Sequence, residues 1–453
     1  MPCTLAQAAD WLAIGSFATP HPNTPIRGIS IDTRTLQAGD LFVALVGNTV
    51  DGHDCIGEAQ AKGACGVLVE RPVKTSLPVL QVPNTLQALG KLAAAYRAQF
   101  SLPVIGLTGS VGKTTVKEML VHLLSQECSV LYSTGNQNNE IGVPLTLMRL
   151  SDAHQVAVIE MGARQAGDIA YLADLAKPTV GLITNIGVAH IEIFGGVEQI
   201  AKAKTELFNA LPPGGTAVLA MDDIHLAPWL QRLKHVNCVQ VRMQTAGDAD
   251  IRAKACVFSP ASTQFMLVTP QGEYPIQLPI PGEHNVANAV LAAGAAHAVG
   301  LSWEKIQQGL NCFQPQVDGR LVVKQGRRGA VVIDDSYNSN PVSMQAALNV
   351  LARYPGERIV VMGDMLELGE TAIAQHQSMG QCARALGITQ FLGFGPLTAE
   401  AVAAFGSAGK HAQTITQLLE ALEALLIKYQ NNAVILVKGS RGMKMERVVT
   451  ALC

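Results

Sequence analysis

At 453 residues, with 48% apolar and 15% charged side chains, the chain is long enough for two or three hydrophobic cores and too apolar to stay disordered. A net charge of -2 argues against nucleic acid as the main partner, because phosphate backbones are held by clustered Lys and Arg. Mean hydropathy is +0.23, yet the most apolar stretch, Ala289 to Leu301, is short, Ala-rich and interrupted by His297, which predicts a core helix and no membrane span. Met1 to Gly15 carries Asp10 and no basic run, so no signal peptide is expected. Nine scattered Cys without a C-x-x-C pair fit a reduced cytoplasm better than a disulfide framework or a zinc site.

From Arg27 to Leu80, short apolar runs (Ile29-Ser-Ile, Leu41-Phe-Val-Ala-Leu, Gly66-Val-Leu-Val) alternate with Gly and Asp turns and an Ala-rich helix. This predicts a small α/β domain over residues 1–83. Pro78 and Pro83 punctuate the chain before a helix expected from Leu86 to Phe100. Next, Pro103-Val-Ile-Gly-Leu-Thr predicts a strand, Ser110 to Lys113 a turn and Thr114 to Ser125 a helix. Val156-Ala-Val-Ile-Glu and Thr179-Val-Gly-Leu-Ile-Thr-Asn predict further buried strands. Helices between them imply a parallel sheet with its ligand edge at the strand C-termini, in a central domain over 84–314. Beyond Gly319, runs starting at Ala330, Arg358, Gln390 and Ala433 predict the strands of a third, doubly wound α/β domain over 315–453.

The sharpest local signal is Thr108-Gly-Ser-Val-Gly-Lys-Thr-Thr115, set between a strand and a helix. Its glycines let backbone N–H groups turn onto phosphate, Lys113 reaches the terminal phosphates and Thr114 can ligate Mg²⁺. Leu107 stands where the G-x-x-x-x-G-K-[ST] pattern has its first Gly. Glu160 and His190 follow neighbouring strands and can hold a metal beside a triphosphate. On the helix expected from Glu198, Ile200, Lys204, Leu207, Phe208 and Leu211 share one stripe, so Lys204 points inward while Lys202 does not. An inward Lys favours its neutral amine unless an anion pairs with it; snorkelling to solvent is the alternative. His284, Asn285 and Asn288 open the next helix, where they serve as caps or as contacts to a purine. Arg320, the polar run Asp334 to Asn340, and Lys438 with Arg441 sit at strand ends of the third domain, where α/β folds keep ligands.

Together these residues resemble the Mur ligase family from end to end. The likeness is carried by Ser30-Ile-Asp-Thr-Arg34, Gly39-Asp-Leu-Phe-Val-Ala-Leu, Asp51-Gly-His53, the phosphate loop, Thr134-Gly-Asn-Gln-Asn-Asn-Glu-Ile-Gly-Val-Pro144, Ile159-Glu-Met-Gly, Gly187-Val-Ala-His190, Ala201-Lys-Ala-Lys-Thr-Glu-Leu-Phe and Gly282-Glu-His-Asn-Val-Ala-Asn288. Asp335-Ser-Tyr-Asn-Ser-Asn-Pro and Gly363-Asp-Met-Leu-Glu-Leu-Gly resemble the branch that adds D-alanyl-D-alanine, and the Asp-Asn-Pro-Arg run of the diaminopimelate-adding branch is absent. The resemblance implies three domains: one for a UDP-sugar, a central P-loop ATPase and a Rossmann-like C-terminal domain. It implies a cytoplasmic, monomeric ligase using ATP and Mg²⁺ on UDP-N-acetylmuramoyl-tripeptide and D-alanyl-D-alanine.

By the same resemblance Ser30, Asp32, Thr33, Arg34 and His53 contact the nucleotide sugar, and Asn138, Asn139, Tyr337 and Asn338 the muramoyl or peptide part. Gly109, Ser110, Val111, Gly112, Lys113, Thr114 and Thr115 cradle phosphate. Asn288 meets adenine, Asp335 the ribose and Arg320 the γ-phosphate, although this Arg follows Asp318-Gly319 and not the family's usual Pro-Gly. Thr114, Glu160, His190 and a carbamate on Lys204 surround Mg²⁺, and Lys113, Lys204, His190 and Arg320 form the catalytic set. A folylpolyglutamate synthase-like ligase and a P-loop nucleotide switch are the other readings of the phosphate loop.

Overall fold

A computed structural model of the chain describes residues 3–15, 21–187, 191–243, 249–315 and 318–453. They form a three-domain α/β fold built on three main sheets. The N-terminal sheet has four strands in chain order, Gly28–Ser30, Asp40–Val43, Gly66–Val69 and Val79–Gln81, all parallel. Asn84 caps the next helix by accepting from the Gln87 amide, which starts it at Thr85, one residue before the expected Leu86, and it ends at Arg97.

The central sheet has nine strands. Val130–Tyr132, Val156–Glu160, Val104–Thr108, Val180–Ile183, Thr216–Ala220, Asn237–Arg242 and Ile251–Phe258 lie side by side and parallel. Beyond this expected parallel part the sheet is extended by two antiparallel strands, Thr263–Thr269 and, at the edge, Gly272–Leu278. Thr263–Thr269 alternates buried and more exposed residues, the mark of an antiparallel strand with one wet face, whereas the parallel strands Val104–Thr108 and Val156–Glu160 are buried throughout. From Val104–Thr108 the chain moves to one side of that strand, through Val130–Tyr132 and Val156–Glu160, and then returns past it to Val180–Ile183. The reversal opens a crevice at the C-terminal end of Val104–Thr108, where the phosphate loop begins. Gly106 and Gly181 leave room for Leu207, 3.1 and 3.4 Å from where their Cβ atoms would stand, so the helix Val197–Asn209 lies close against these strands.

The C-terminal sheet runs Val322–Gln325, Val331–Asp335, Ala433–Lys438, Glu357–Gly363, Gln390–Phe394 and Gly409–Ala412. Its last five strands are parallel and its first is an antiparallel edge. The last strand in sequence returns to the middle of the sheet, as in a doubly wound fold. No helix among the described residues is long and apolar enough to cross a membrane.

Candidate active site

The loop after Val104–Thr108 is fixed by the neighbouring strand end and makes little use of its own atoms. The Ser110 amide donates to the Asn185 carbonyl at 3.1 Å, and the Val111 amide to Asn185 Oδ1 at 3.0 Å. Asn185 Nδ2 and the Thr184 hydroxyl donate back to the Val111 carbonyl, and the Gly187 amide donates to Ser110 Oγ at 2.9 Å. Gly112, at φ 82°, turns the chain into the helix Lys113–Leu124. A Cβ on Gly109, at φ 150°, would lie 1.9 Å from Thr184 Oγ1, so this tight approach requires glycine. The loop therefore closes without the usual first glycine, replaced here by Leu107. Sequence reading did not single out Thr184 and Asn185 for this role; the available signal was their position as polar residues ending a buried strand.

The Lys113 ammonium folds back to the Gly109 carbonyl at 2.7 Å. Burial lowers its pKa, Glu160 opposes that effect and Arg320 adds to it. Glu160 is 2% exposed: Asn138 donates to its Oε1 at 2.8 Å, while its Oε2 is buried without a hydrogen-bond partner. Thr108 Oγ1 is also buried and unpartnered. No cluster of three or more His, Cys, Asp or Glu able to cage a metal occurs among the described residues. Mg²⁺ needs no such cage, since it is usually held by one or two carboxylates together with phosphate and water. An orphaned carboxylate oxygen near a phosphate loop with Thr114 is a hard-oxygen donor set that fits it. His190 lies outside the described residues.

Lys204 confirms the stripe. It is 3% exposed, with Ile200, Leu207 and Phe208 at 0% and Leu211 at 4%, while Lys202 is exposed. Burial, with a smaller contribution from the Lys113 charge, lowers its pKa to about 7.

Above the loop lies a cavity of about 610 Å³, within the usual range for a small-molecule site. The central domain contributes the phosphate loop, Asn138, Glu160, His284 and Asn288, and the C-terminal domain contributes Arg320, Asp335, Tyr337, Asn338, Lys438 and Arg441. Arg320 NH2 donates to Thr114 Oγ1 at 3.3 Å, so the two domains meet at the phosphate loop. Lys438 donates to Asp335 at 2.6 Å and to the Asn338 carbonyl at 2.8 Å. Burial raises the Asp335 pKa and lowers that of Lys438, each resisted by the other's charge. Burial also brings His284 down to about 4, with the Lys438 charge as the second cause. Of the two readings left open for His284, Asn285 and Asn288, side-chain capping does not occur: Gly282 is the N-cap, and Asn285 donates to the Pro281 carbonyl.

Other expected residues lie apart from this cavity. Ser30, Asp32, Thr33, Arg34 and His53 belong to the N-terminal domain and bond mainly within it. Arg34 pairs with Asp32 at 2.6 Å, and Thr33 donates to Glu58 at 2.8 Å. His53 has Nδ1 on Asp51 and Nε2 accepting from the Glu70 amide, so both ring nitrogens are engaged within the domain. Asn139 accepts from the Gly142 amide and steadies the start of a helix. Lys204 does not line the cavity.

This arrangement has close counterparts. Three family descriptions match in chain order: "Mur ligase family, catalytic domain" over 25–97, "Mur ligase middle domain" over 107–296, and "Mur ligase, glutamate ligase domain" over 319–441. The Escherichia coli K12 protein named UDP-N-acetylmuramoyl-tripeptide--D-alanyl-D-alanine ligase is 42% identical over 424 residues, 94% of this chain and 93% of that protein. The crystal structure of MurF from Acinetobacter baumannii superposes with a TM-score of 0.92 at 36% identity, covering 99% of this chain and 98% of that one. MurF from Thermotoga maritima in complex with ADP gives 0.84 at 28% identity over 94% and 96% of the two chains. The three domain matches in chain order, with a relative 42% identical over 94% of this chain and a superposition along nearly its whole length, show that the chain belongs to the Mur ligase family.

Proposed function

We propose that this chain joins D-alanyl-D-alanine to the peptide carboxylate of UDP-N-acetylmuramoyl-tripeptide, using ATP, in the cytoplasmic synthesis of a peptidoglycan precursor, and that it works as a monomer. The observation that carries this reading is Arg320 of the C-terminal domain reaching Thr114 of the phosphate loop: the phosphate chain and a second domain's strand ends then face one cavity. A nucleotide switch has no need of that second polar wall. The choice of dipeptide follows from the names of the relatives matched above. The domain limits 1–83, 84–314 and 315–453 are part of the proposal.

A carboxylate is a poor electrophile, and transfer of the γ-phosphoryl of ATP converts it to an acyl phosphate while ADP leaves. The dipeptide amine then attacks, the C–N bond forms as the acyl C–O bond breaks, phosphate leaves, and the amine's proton passes to solvent. The barrier to phosphoryl transfer is lowered by positioning and charge. In this chain the amides of Gly109 to Thr115 and the start of the helix Lys113–Leu124 hold the phosphates. Lys113 leaves the Gly109 carbonyl for the phosphate chain, and Arg320 covers the γ-phosphate from above. Asn288 sits at the adenine and Asp335 at the ribose. Thr114, Glu160 and His190 would hold Mg²⁺, which when bound neutralises charge on the phosphate oxygens. Ser30, Asp32, Thr33 and Arg34 lie toward the UDP-sugar, and Asn138, Asn139 and Asn338 toward the muramoyl peptide.

Lys204 carries a carbamate in this proposal. With a pKa of about 7 a large share of its amines is neutral near neutral pH, and a neutral lone pair attacks CO₂, forming an N–C bond and releasing a proton to solvent. The product is an anion beside Lys113 and the metal position, which turns an unfavourable buried cation into a favourable buried carboxylate-like group.

Incubating the protein with ATP, Mg²⁺, D-alanyl-D-alanine and each UDP-muramoyl peptide tests the assignment. The tripeptide substrate should gain the mass of the dipeptide less one water. A new mass with shorter UDP-muramoyl peptides and single amino acids, and none with tripeptide and dipeptide, would assign the chain to another branch.

A further inference from the structure

Arg320 is held in an unusual way, and the residue holding it is Tyr337. The arginine side chain leaves a backbone with positive φ on both flanks: Gly319 at 76° and Leu321 at 56°. Positive φ at a branched or bulky residue such as leucine is uncommon and persists only where the surroundings enforce it. Here the Tyr337 amide donates to the Gly319 carbonyl at 3.1 Å. A Cβ on Gly319 would stand 2.9 Å from the Tyr337 nitrogen, so only glycine lets the two segments come this close. The loop carrying Tyr337 is itself pinned, because both the amide and the hydroxyl of Ser336 donate to Asp334 Oδ1.

From that fixed point the Tyr337 ring lies under the guanidinium, 4.1 Å from Arg320 Cζ. A second cation, Arg441, is 5.7 Å from the same ring. An aromatic face attracts a cation without using any of its N–H donors, so the hydrogen-bonding edge of Arg320 stays free. One of its nitrogens reaches Thr114, while Nε is buried with no partner at all. A buried guanidinium N–H left unpaired is costly, and a phosphate oxygen in the cavity would supply the missing acceptor.

We infer that Tyr337 is a positioning residue: its ring orients Arg320 toward the transferring phosphoryl, and its effect on the reaction runs through that arginine and not through contact with the peptide substrate. This rests on the reading of Arg320 at the γ-phosphate, and it replaces the expectation that Tyr337 binds substrate directly.

The test is a double-mutant cycle on the full chain, with initial rates measured against ATP and both acceptor substrates. Arg320→Ala alone examines the underlying reading, and a normal kcat there would remove that reading and the inference with it. Given a slow R320A, Tyr337→Leu should lower kcat about ten-fold, the equivalent of roughly 1.4 kcal/mol, with KM for the UDP-tripeptide unchanged. Tyr337→Phe, which keeps the ring, should restore what leucine removes. In the R320A background, Y337L should cost nothing further. Multiplicative losses for the pair, a rise confined to KM for the tripeptide, or a Y337F as slow as Y337L would each overturn the inference, the last by assigning the role to the hydroxyl. Thermal unfolding checks that the variants fold; if Y337L does not, Tyr337→Met serves in its place.

Discussion

Two lysines in different domains are buried to nearly the same degree and face opposite circumstances. Lys438, 2% exposed at the end of the strand Ala433–Lys438, has the Asp335 carboxylate 2.6 Å away. Lys204, 3% exposed on the helix Val197–Asn209, has as its nearest charge influence another cation, Lys113. Both lose hydration. At Lys438 the loss is offset by an ion pair that spans two strand ends at the wall of the cavity, whereas no ion pair offsets it at Lys204 among the described residues and the amine is shifted toward neutrality. Equal burial thus leaves a paired cation in one place and an amine with a lowered pKa in the other, and the neighbouring charge makes the difference.

The largest effect that would sharpen this contrast is on activity. Lys204→Ala should reduce turnover at least about 100-fold, the scale associated with losing one preorganised electrostatic group, and a small carboxylate added in solution should recover part of it. Wild-type rates in K204A at low bicarbonate would remove the carbamate. Next in size is a stability effect at the other lysine. Lys438→Met leaves Asp335 buried without its cation and should cost about 3 kcal/mol in denaturant unfolding at neutral pH. Because burial already raises the Asp335 pKa, the loss should shrink as pH falls and that carboxyl takes up a proton. A pH-independent loss would mean that packing, and not charge, explains it.

Lys204→Met should do the reverse. In the absence of bicarbonate the folded-state pKa of Lys204 is about 7 against a model value of 10.5, so between those values the unfolded chain binds the extra proton and stability rises with pH. The burden of the buried cation is fully present below about pH 7 and is lifted as pH climbs toward 10.5. K204M should accordingly be more stable than the wild type at pH 6, by a few kcal/mol at most, with the advantage gone near pH 10. A constant difference across that range would contradict the neutral-amine account. Smallest of all is Lys202→Ala: the residue is exposed on the same helix, and its replacement should change stability by no more than about 0.5 kcal/mol and leave turnover far closer to wild type than K204A.

How much of this could be seen in the residues alone depends on the length scale of the cause. Lys204 was legible because a helical stripe is local, with Ile200, Leu207, Phe208 and Leu211 all within about three turns of it. The phosphate loop was legible for the same reason, its glycines and Lys113 falling within eight residues. The antiparallel strands Thr263–Thr269 and Gly272–Leu278 were not foreseen, since a short alternating run with no strand-end motif gives little to read. The motif around His53 says nothing of the Glu70 amide, 17 residues away, that donates to its Nε2. The bracing of Ser110 and Val111 by Asn185, some 74 residues distant in the chain, and the ring beneath Arg320 belong to the same class. These contacts exist only once strand ends converge.

The central claim is that phosphate-loop chemistry here is committed to amide formation across two domains, and coupled phosphate release tests it most directly. Inorganic phosphate should be followed with ATP and Mg²⁺ present while the UDP-muramoyl tripeptide and D-alanyl-D-alanine are omitted in turn, alongside Lys113→Ala. The account predicts sustained release only with both acceptors, one phosphate per new amide, and a collapse of that release in K113A at saturating ATP. Sustained release with neither acceptor present, or undiminished release in K113A, would contradict it.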